Sequence, residues 1–556
     1  MDDYFDLGTY SHPITTTSPQ AQVWFDRGLL WCYGFHHEEA VRCFKNALEH
    51  DPGCAMAHWG VAYASGPFYN KPWEWFERNE LAETEAFCFA TVQKAIDASA
   101  KASAPEQALI NALSKRHQSP DLVEHEIFCQ WTDDYADAMR QVYTGFPDDL
   151  DVITLTAESL MNRTPWMLWD VHGGVPAENA DTEEIIDVLS HGMDLVERQN
   201  LPPHAGMIHL WIHVWEMSPT PERSLMAADQ LRSLSPENGH LLHMASHIDV
   251  LCGHYYEAVM SNNRAIEADR KVIELRGAEE FYTISCCHDL KLKMFAAMYL
   301  GQFKAAMVAM DRTLEILPDE VIRAGTPYMQ GSLEGYAAMK THILVRFGKW
   351  QEIVDEPFPE DTDFYVMGTA MLHYAKGIAH ATLGNVSEAD AFRASYAAYI
   401  AAIDKEMIFS NNLAVDVLAV GTSMQAGEIE YHRGNYEVAF DHLRKAIELE
   451  DNLNYSEPWD WMHPTRHAMG ALSLEQGLVE QAAEAYEADL GFADTLPRCC
   501  QHPENVWALH GYTECLKRLG RDTEAKALES RLHLAMARAD VTISSSCCCR
   551  KTQHCY

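Results

Sequence analysis

Residues 21–54 read AQVWFDRGLLWCYGFHHEEAVRCFKNALEHDPGC. The stretch predicts two helices joined by a short turn. Small residues fall where the helices must approach, at Gly28 in the first and at Ala40 and Ala47 in the second. Trp24, Trp31 and Phe44 supply the bulk that fills the gap between them. Asp51-Pro52 closes the second helix, because proline has no amide hydrogen to donate and cannot continue it. The unit is 34 residues long, the period of helix–turn–helix repeats.

Trp24, Gly28, Trp31, Ala40, Phe44, Ala47 and Pro52 sit at the signature positions of the tetratricopeptide repeat, and the segment resembles that superfamily. Degenerate units follow near 205–238, 239–272, 287–320, 370–403, 420–452, 463–496 and 505–535, marked by residues such as Gly253 with Ala258 and Gly301 with Ala306. The resemblance implies an all-α fold, a right-handed superhelical solenoid of helix hairpins running as one body over 1–540. Irregular insertions interrupt it at 66–80, around Pro165 and Gly173-Gly174, and near Pro357 and Pro359; insertions of this kind usually lie on one face and cover a binding surface. A cysteine-rich tail, 541–556, is expected to be mobile unless it docks.

Composition narrows the function classes. The chain has 556 residues and a formal charge of −40, which argues against nucleic acid and anionic membrane, since both need basic surface. No 18-residue apolar run is present, so no transmembrane helix is expected. The acidic start, Met1-Asp2-Asp3, lacks the pattern of a secretory signal, and the 15 cysteines lack framework spacing; both predict reduced thiols and a cytoplasmic protein. No dinucleotide fingerprint, P-loop or GxSxG elbow occurs, so no nucleotide cofactor and no serine hydrolase are expected.

The chemistry concentrates in one place. His209 and His213 are four residues apart with Glu216 three further on; His243 and His247 are four apart with His240 three before. His209 to His243 and His213 to His247 are both 34 residues, one repeat period. Spacings of three, four and seven put each set on one helix face, and the common offset places them at equivalent positions of successive helices. A lone helical histidine is ordinarily a core residue, but six such groups within 39 positions point to a metal site. Leu210 follows His209, so the general base of an HExxH zinc protease is missing. Imidazole and carboxylate without thiolate predict one or two transition-metal ions, copper or iron favoured over zinc or manganese.

In the tetratricopeptide frame, these positions line the concave groove, as does His288 with Asp289 beside it, and His467 in a later unit. The segments around Pro203-His204-Ala205-Gly206, Gly239-His240-Leu241 and Asp51…Cys54-Ala55-Met56-Ala57, with Glu158, Asn162, Pro165-Trp166, His373 and Glu457-Pro458, also resemble a group of long microbial tetratricopeptide proteins. Together these readings predict a metal-dependent oxidoreductase acting on a small organic molecule. His209, His213, His243, His247 and His288 are the expected ligands, and Glu216, Glu158 and His240 the expected acid–base groups. Tyr69, Trp73, Trp166 and Trp169 are expected to cover the substrate. The alternative is a scaffold that holds a peptide or protein in its groove.

Overall fold

Ser18 opens the first helix: its side chain accepts from the Ala21 amide, and Pro19 at the first turn fixes the backbone where no donor is needed. A computed structural model describes residues 4–550. Helix α1 (Pro19–Tyr33) packs on α2 (His37–His50), and α2 on α3 (Ala55–Ser65). The close approach depends on missing side chains. A Cβ on Gly28 would fall 2.6 Å from the Phe44 ring, and one on Gly60 also 2.6 Å from it, so both neighbours clamp one fully buried aromatic. Helices α4 (Arg78–Ala98), α5 (Ala104–Leu113), α6 (His125–Gly145), α7 (Leu150–Met161) and α8 (Thr182–Gln199) follow. Next come α9 (Ala205–Glu216), α10 (Leu225–Leu231), α11 (Gly239–His243) and α12 (Ala245–Leu251), then α13 (Tyr255–Arg276) and α14 (Thr283–Leu300).

The fold is all-α, built largely of helix hairpins, and among the described residues its sheet consists of two-residue pairs inside loops. One of these, Trp169–Asp170 against Val175–Pro176, lies in the proline- and glycine-broken insertion. The chain divides into two compact units: residues 1–248 with 264–286, and residues 249–263 with 287–556.

Within the second unit, regular hairpins recur, including Val366–Thr382 with Val386–Ala402 and Ala414–Arg433 with Tyr436–Asp451. Gly434, at φ 94°, ends one first helix in the left-handed conformation glycine tolerates. Gly470 and Gly511 close on Tyr486 as Gly28 and Gly60 do on Phe44, with a Cβ at 2.4 and 2.3 Å. The tail, expected to be mobile unless docked, docks over its described part: Cys549 is buried, and the Ser546 hydroxyl donates to the His467 carbonyl at 2.8 Å. Cys547 and Cys549 are joined by a disulfide, an exception to the expected reduced thiols, while cysteines such as Cys32 and Cys88 are in no disulfide. Residues 551–556 of the tail lie outside the described residues. Among the described residues no helix is long and apolar enough to cross a membrane.

Candidate metal centre

Helix α9 is apolar on every side, so it is buried on every side, and its three polar members go inside with it. Its start is fixed by His204, whose side chain accepts from the Met207 amide. Asn238 caps α11 in the same way, accepting from Leu241. The face expected to run through His240, His243 and His247 on one helix is split at Met244 into α11 and α12. There the His247 amide reaches only three residues back, to the Met244 carbonyl.

His209, His213, His240, His243, His247 and Glu216 come together in the first unit, and none is more than 2% exposed. The groove position implied by the repeat frame is therefore an enclosed one.

Their protonation follows from their partners. His213 Nδ1 lies 2.7 Å from Glu216 Oε1, and His247 Nδ1 lies 2.6 Å from Glu216 Oε2. A carboxylate only accepts, so both imidazoles donate through Nδ1. His209 Nδ1 donates to the Tyr33 carbonyl at 2.6 Å. In the neutral rings, the Nε2 atoms of His209 and His213 are then both lone pairs, and they face each other at 3.1 Å. His240 Nε2 joins them, 3.2 Å from His209 Nε2. A shared proton would need a buried imidazolium, whereas burial, aided by His213, pushes His209 well below the usual histidine range. Burial works to raise the Glu216 carboxyl, but His213 and His247 outweigh it and hold it below the carboxylate range.

These three residues could hold a transition-metal ion, and the two Nε2 separations from His209 are close to what one would span. Ligand distances of ~2.0–2.1 Å around a tetrahedral ion put nitrogens ~3.3 Å apart. Alongside, His243 Nε2 and His247 Nε2 approach to 2.7 Å. A carboxylate orienting imidazoles through their far nitrogens is the usual outer support of histidine metal sites.

No family model matches the sequence, and no curated protein matches it. Among solved structures the chain is similar to Ypp1, at 13% identity and TM-score 0.40 over 95% of this chain and 83% of that one. It is similar also to a human IFIT1 dimer with m7Gppp-AAAA, at 12% and 0.32 over 94% and 91%. A third likeness is to the TPR domain of P58(IPK), at 10% and 0.24 over 91% and 99%.

The remaining expected residues divide. Tyr69 lies beside the cage, its ring 4.9 Å from that of His213, and Trp166 stands 5.1 Å from Tyr69. Trp73 is one loop turn away, donating to Thr132 at 3.2 Å. Trp169 donates to the Val214 carbonyl at 2.7 Å, on the α9 backbone. Glu158 is buried on α7, where it accepts from Asn162 at 2.5 Å, and burial raises its carboxyl. His288 belongs to the second unit.

Sequence reading missed Phe35. Its ring is 4.3 Å from His209 and 5.5 Å from His240, and its backbone is left-handed at φ 54°. A bulky residue in that region is strained, and such strain gathers at functional sites. The signal was the Gly34-Phe35 break between α1 and α2. The second unit supplies a contrast: Asp489 holds His467 and His502, both at 2.8 Å. There Arg346 donates to His467 Nδ1 at 2.9 Å, so every imidazole nitrogen of His467 is used and no lone pairs converge.

Proposed function

We propose that the first unit binds a transition-metal ion through His209, His213 and His240, with Glu216 fixing the tautomer of His213 and the Tyr33 carbonyl that of His209, and that this ion serves metal-dependent chemistry on a small organic molecule. The observation that carries the reading is the gathering of the His209, His213 and His240 Nε2 atoms, with His209 3.1 and 3.2 Å from the other two, in a buried site. His243 and His247 would hold a second ion or widen the ligand set. All-imidazole ligands suit copper, iron and zinc, while manganese would call for carboxylate oxygen as well. Such an ion supplies Lewis acidity or one-electron redox chemistry. The chain's own part is to hold three imidazoles in register, exclude water, and keep an aromatic wall of Phe35 and Tyr69 against the site.

A second reading is favoured by the fold itself. Solenoids of helix hairpins commonly present an extended surface to a peptide or protein. A caged ion would then stabilise a scaffold. The buried histidines do not themselves offer a peptide any surface.

Elemental analysis of protein purified without an affinity tag tests the metal site, with His213→Ala and His243→Ala alongside. Stoichiometric metal in the wild type, lost in folded His213→Ala, is expected. A metal-free wild type sinks the site, and loss in His243→Ala as well would assign the second pair to it. Oxygen uptake or substrate turnover that follows metal content separates the enzyme from the scaffold; a partner held equally by metal-free protein favours the scaffold.

A further inference from the structure

A cavity of about 280 Å³ opens in the first unit beside the aromatic loop. Arg116, in the turn after α5, forms its floor and is only 1% exposed. The guanidinium makes a single hydrogen bond, from Nη2 to the Tyr63 carbonyl at 3.3 Å, while its Nε and Nη1 have no partner. Its ring neighbours are Tyr63 and Tyr135, with centroids 5.0 and 4.7 Å from Cζ. Tyr135 also lines the cavity, is 1% exposed, and its hydroxyl has no partner; the Thr164 hydroxyl, on the same wall, has none either. Buried donors are nearly always satisfied, and a buried charge without a counter-charge is costly. Unpartnered donors line this hollow at Arg116, Tyr135 and Thr164 against a single unpartnered acceptor on the same lining, Asn162 Oδ1, and the excess describes a missing acceptor.

We propose that this cavity binds a small monocarboxylate with an apolar body, its carboxylate on Arg116 and Tyr135 and its body against Phe68 and Trp73. The charge of the surroundings selects the class. The nearby carboxylates are Glu158 and Glu85, and burial raises both, Glu85 to about 9, so neither compensates Arg116 fully. Asp133 and Glu74 stand at the exposed rim, Asp133 paired to Arg163 at 2.6 Å, and repel a dianion such as phosphate. Phe68 and Trp73, 4% and 5% exposed, give the rest of the hollow an aromatic lining that an inorganic anion would leave unused. The inference does not rest on the metal site. Phe68 and Tyr69, consecutive in the loop, face the cavity and the histidine cage respectively.

Calorimetric titration of the full chain with benzoate and hexanoate tests it, with benzamide and inorganic phosphate as controls and Trp fluorescence as a second readout. One equivalent of acid is expected to bind, with benzamide and phosphate weaker by about tenfold or more, the worth of one charge-assisted hydrogen bond. Arg116→Gln should weaken the acid by at least about tenfold, and Tyr135→Phe by several-fold. The proposal is overturned if neither acid binds, if phosphate binds more tightly, or if folded Arg116→Gln binds as the wild type does. Should Arg116→Gln fail to fold, Tyr135→Phe decides: unchanged affinity there overturns it.

Discussion

Glu216 accepts from two imidazoles at once, and this sets the state of the cage. A glutamine in its place offers one acceptor and one donor. Only one of His213 and His247 then keeps its proton on Nδ1, and the other must turn its proton toward the metal-facing side. Glu216→Gln is expected to lower metal affinity by about 10- to 100-fold, the usual effect of removing an outer partner, in competition with a chelator of known affinity. Unchanged affinity would show that the carboxylate does not set the tautomers. Only part of this site was legible in sequence. Spacings of three and four gave the histidines and Glu216 because a helix turns once in 3.6 residues. The decisive fact, two lone pairs face to face, needs the Tyr33 carbonyl, 176 residues from His209, and no local pattern encodes such a partner. Arg116 carried no motif at all; its unmet Nε and Nη1 donors are a property of its surroundings.

At the scale of elements, glycine pairs set the helix spacing. Phe44 fills the gap between Gly28 and Gly60, and no exposed path lets the site relax. Phe44→Ala should cost about 3–5 kcal/mol in denaturant unfolding. The segment before α1 is held differently. His12 Nδ1 lies 2.6 Å from the Asp151 carboxylate on α7, which also accepts from Tyr10, Tyr33 and His204; the His12 amide donates to Asp26. Burial opposes the charged His12, but Asp151 outweighs it and raises the imidazole to about 9. A group raised in the folded state adds stability that is complete below its unfolded value near 6.5 and disappears as pH climbs through the folded value. Unfolding free energy should therefore fall by about 2–3 kcal/mol between pH 6 and pH 10 through this group. His12→Gln should flatten that slope; an equal slope in the variant removes His12 as its source.

At the scale of the molecule, a ligand that binds only the folded state adds stability by mass action. Saturating metal at about a thousand times its dissociation constant is worth ~4 kcal/mol. Metal-loaded protein should melt higher than chelated protein, and a His209→Ala/His213→Ala double variant should show no difference. A formal charge of −40 also repels itself across the surface, and salt at about 0.1 M shortens the reach of that repulsion to ~10 Å. Thermal midpoints are expected to rise with sodium chloride from low ionic strength; a fall would mean that surface ion pairs outweigh the net repulsion.

The sequence alone determined the all-α class, the hairpin repeat and the identity of the clustered histidines, because helical periodicity and proline–glycine punctuation act over a few residues. Tertiary structure decided the rest. It enclosed residues the repeat frame would place along a groove, put Trp169 on the α9 backbone, and set Glu158 beside Asn162 and Arg116. Burial and hydrogen-bond partners depend on which helices pack together, and those partners here lie tens to hundreds of residues apart in the chain.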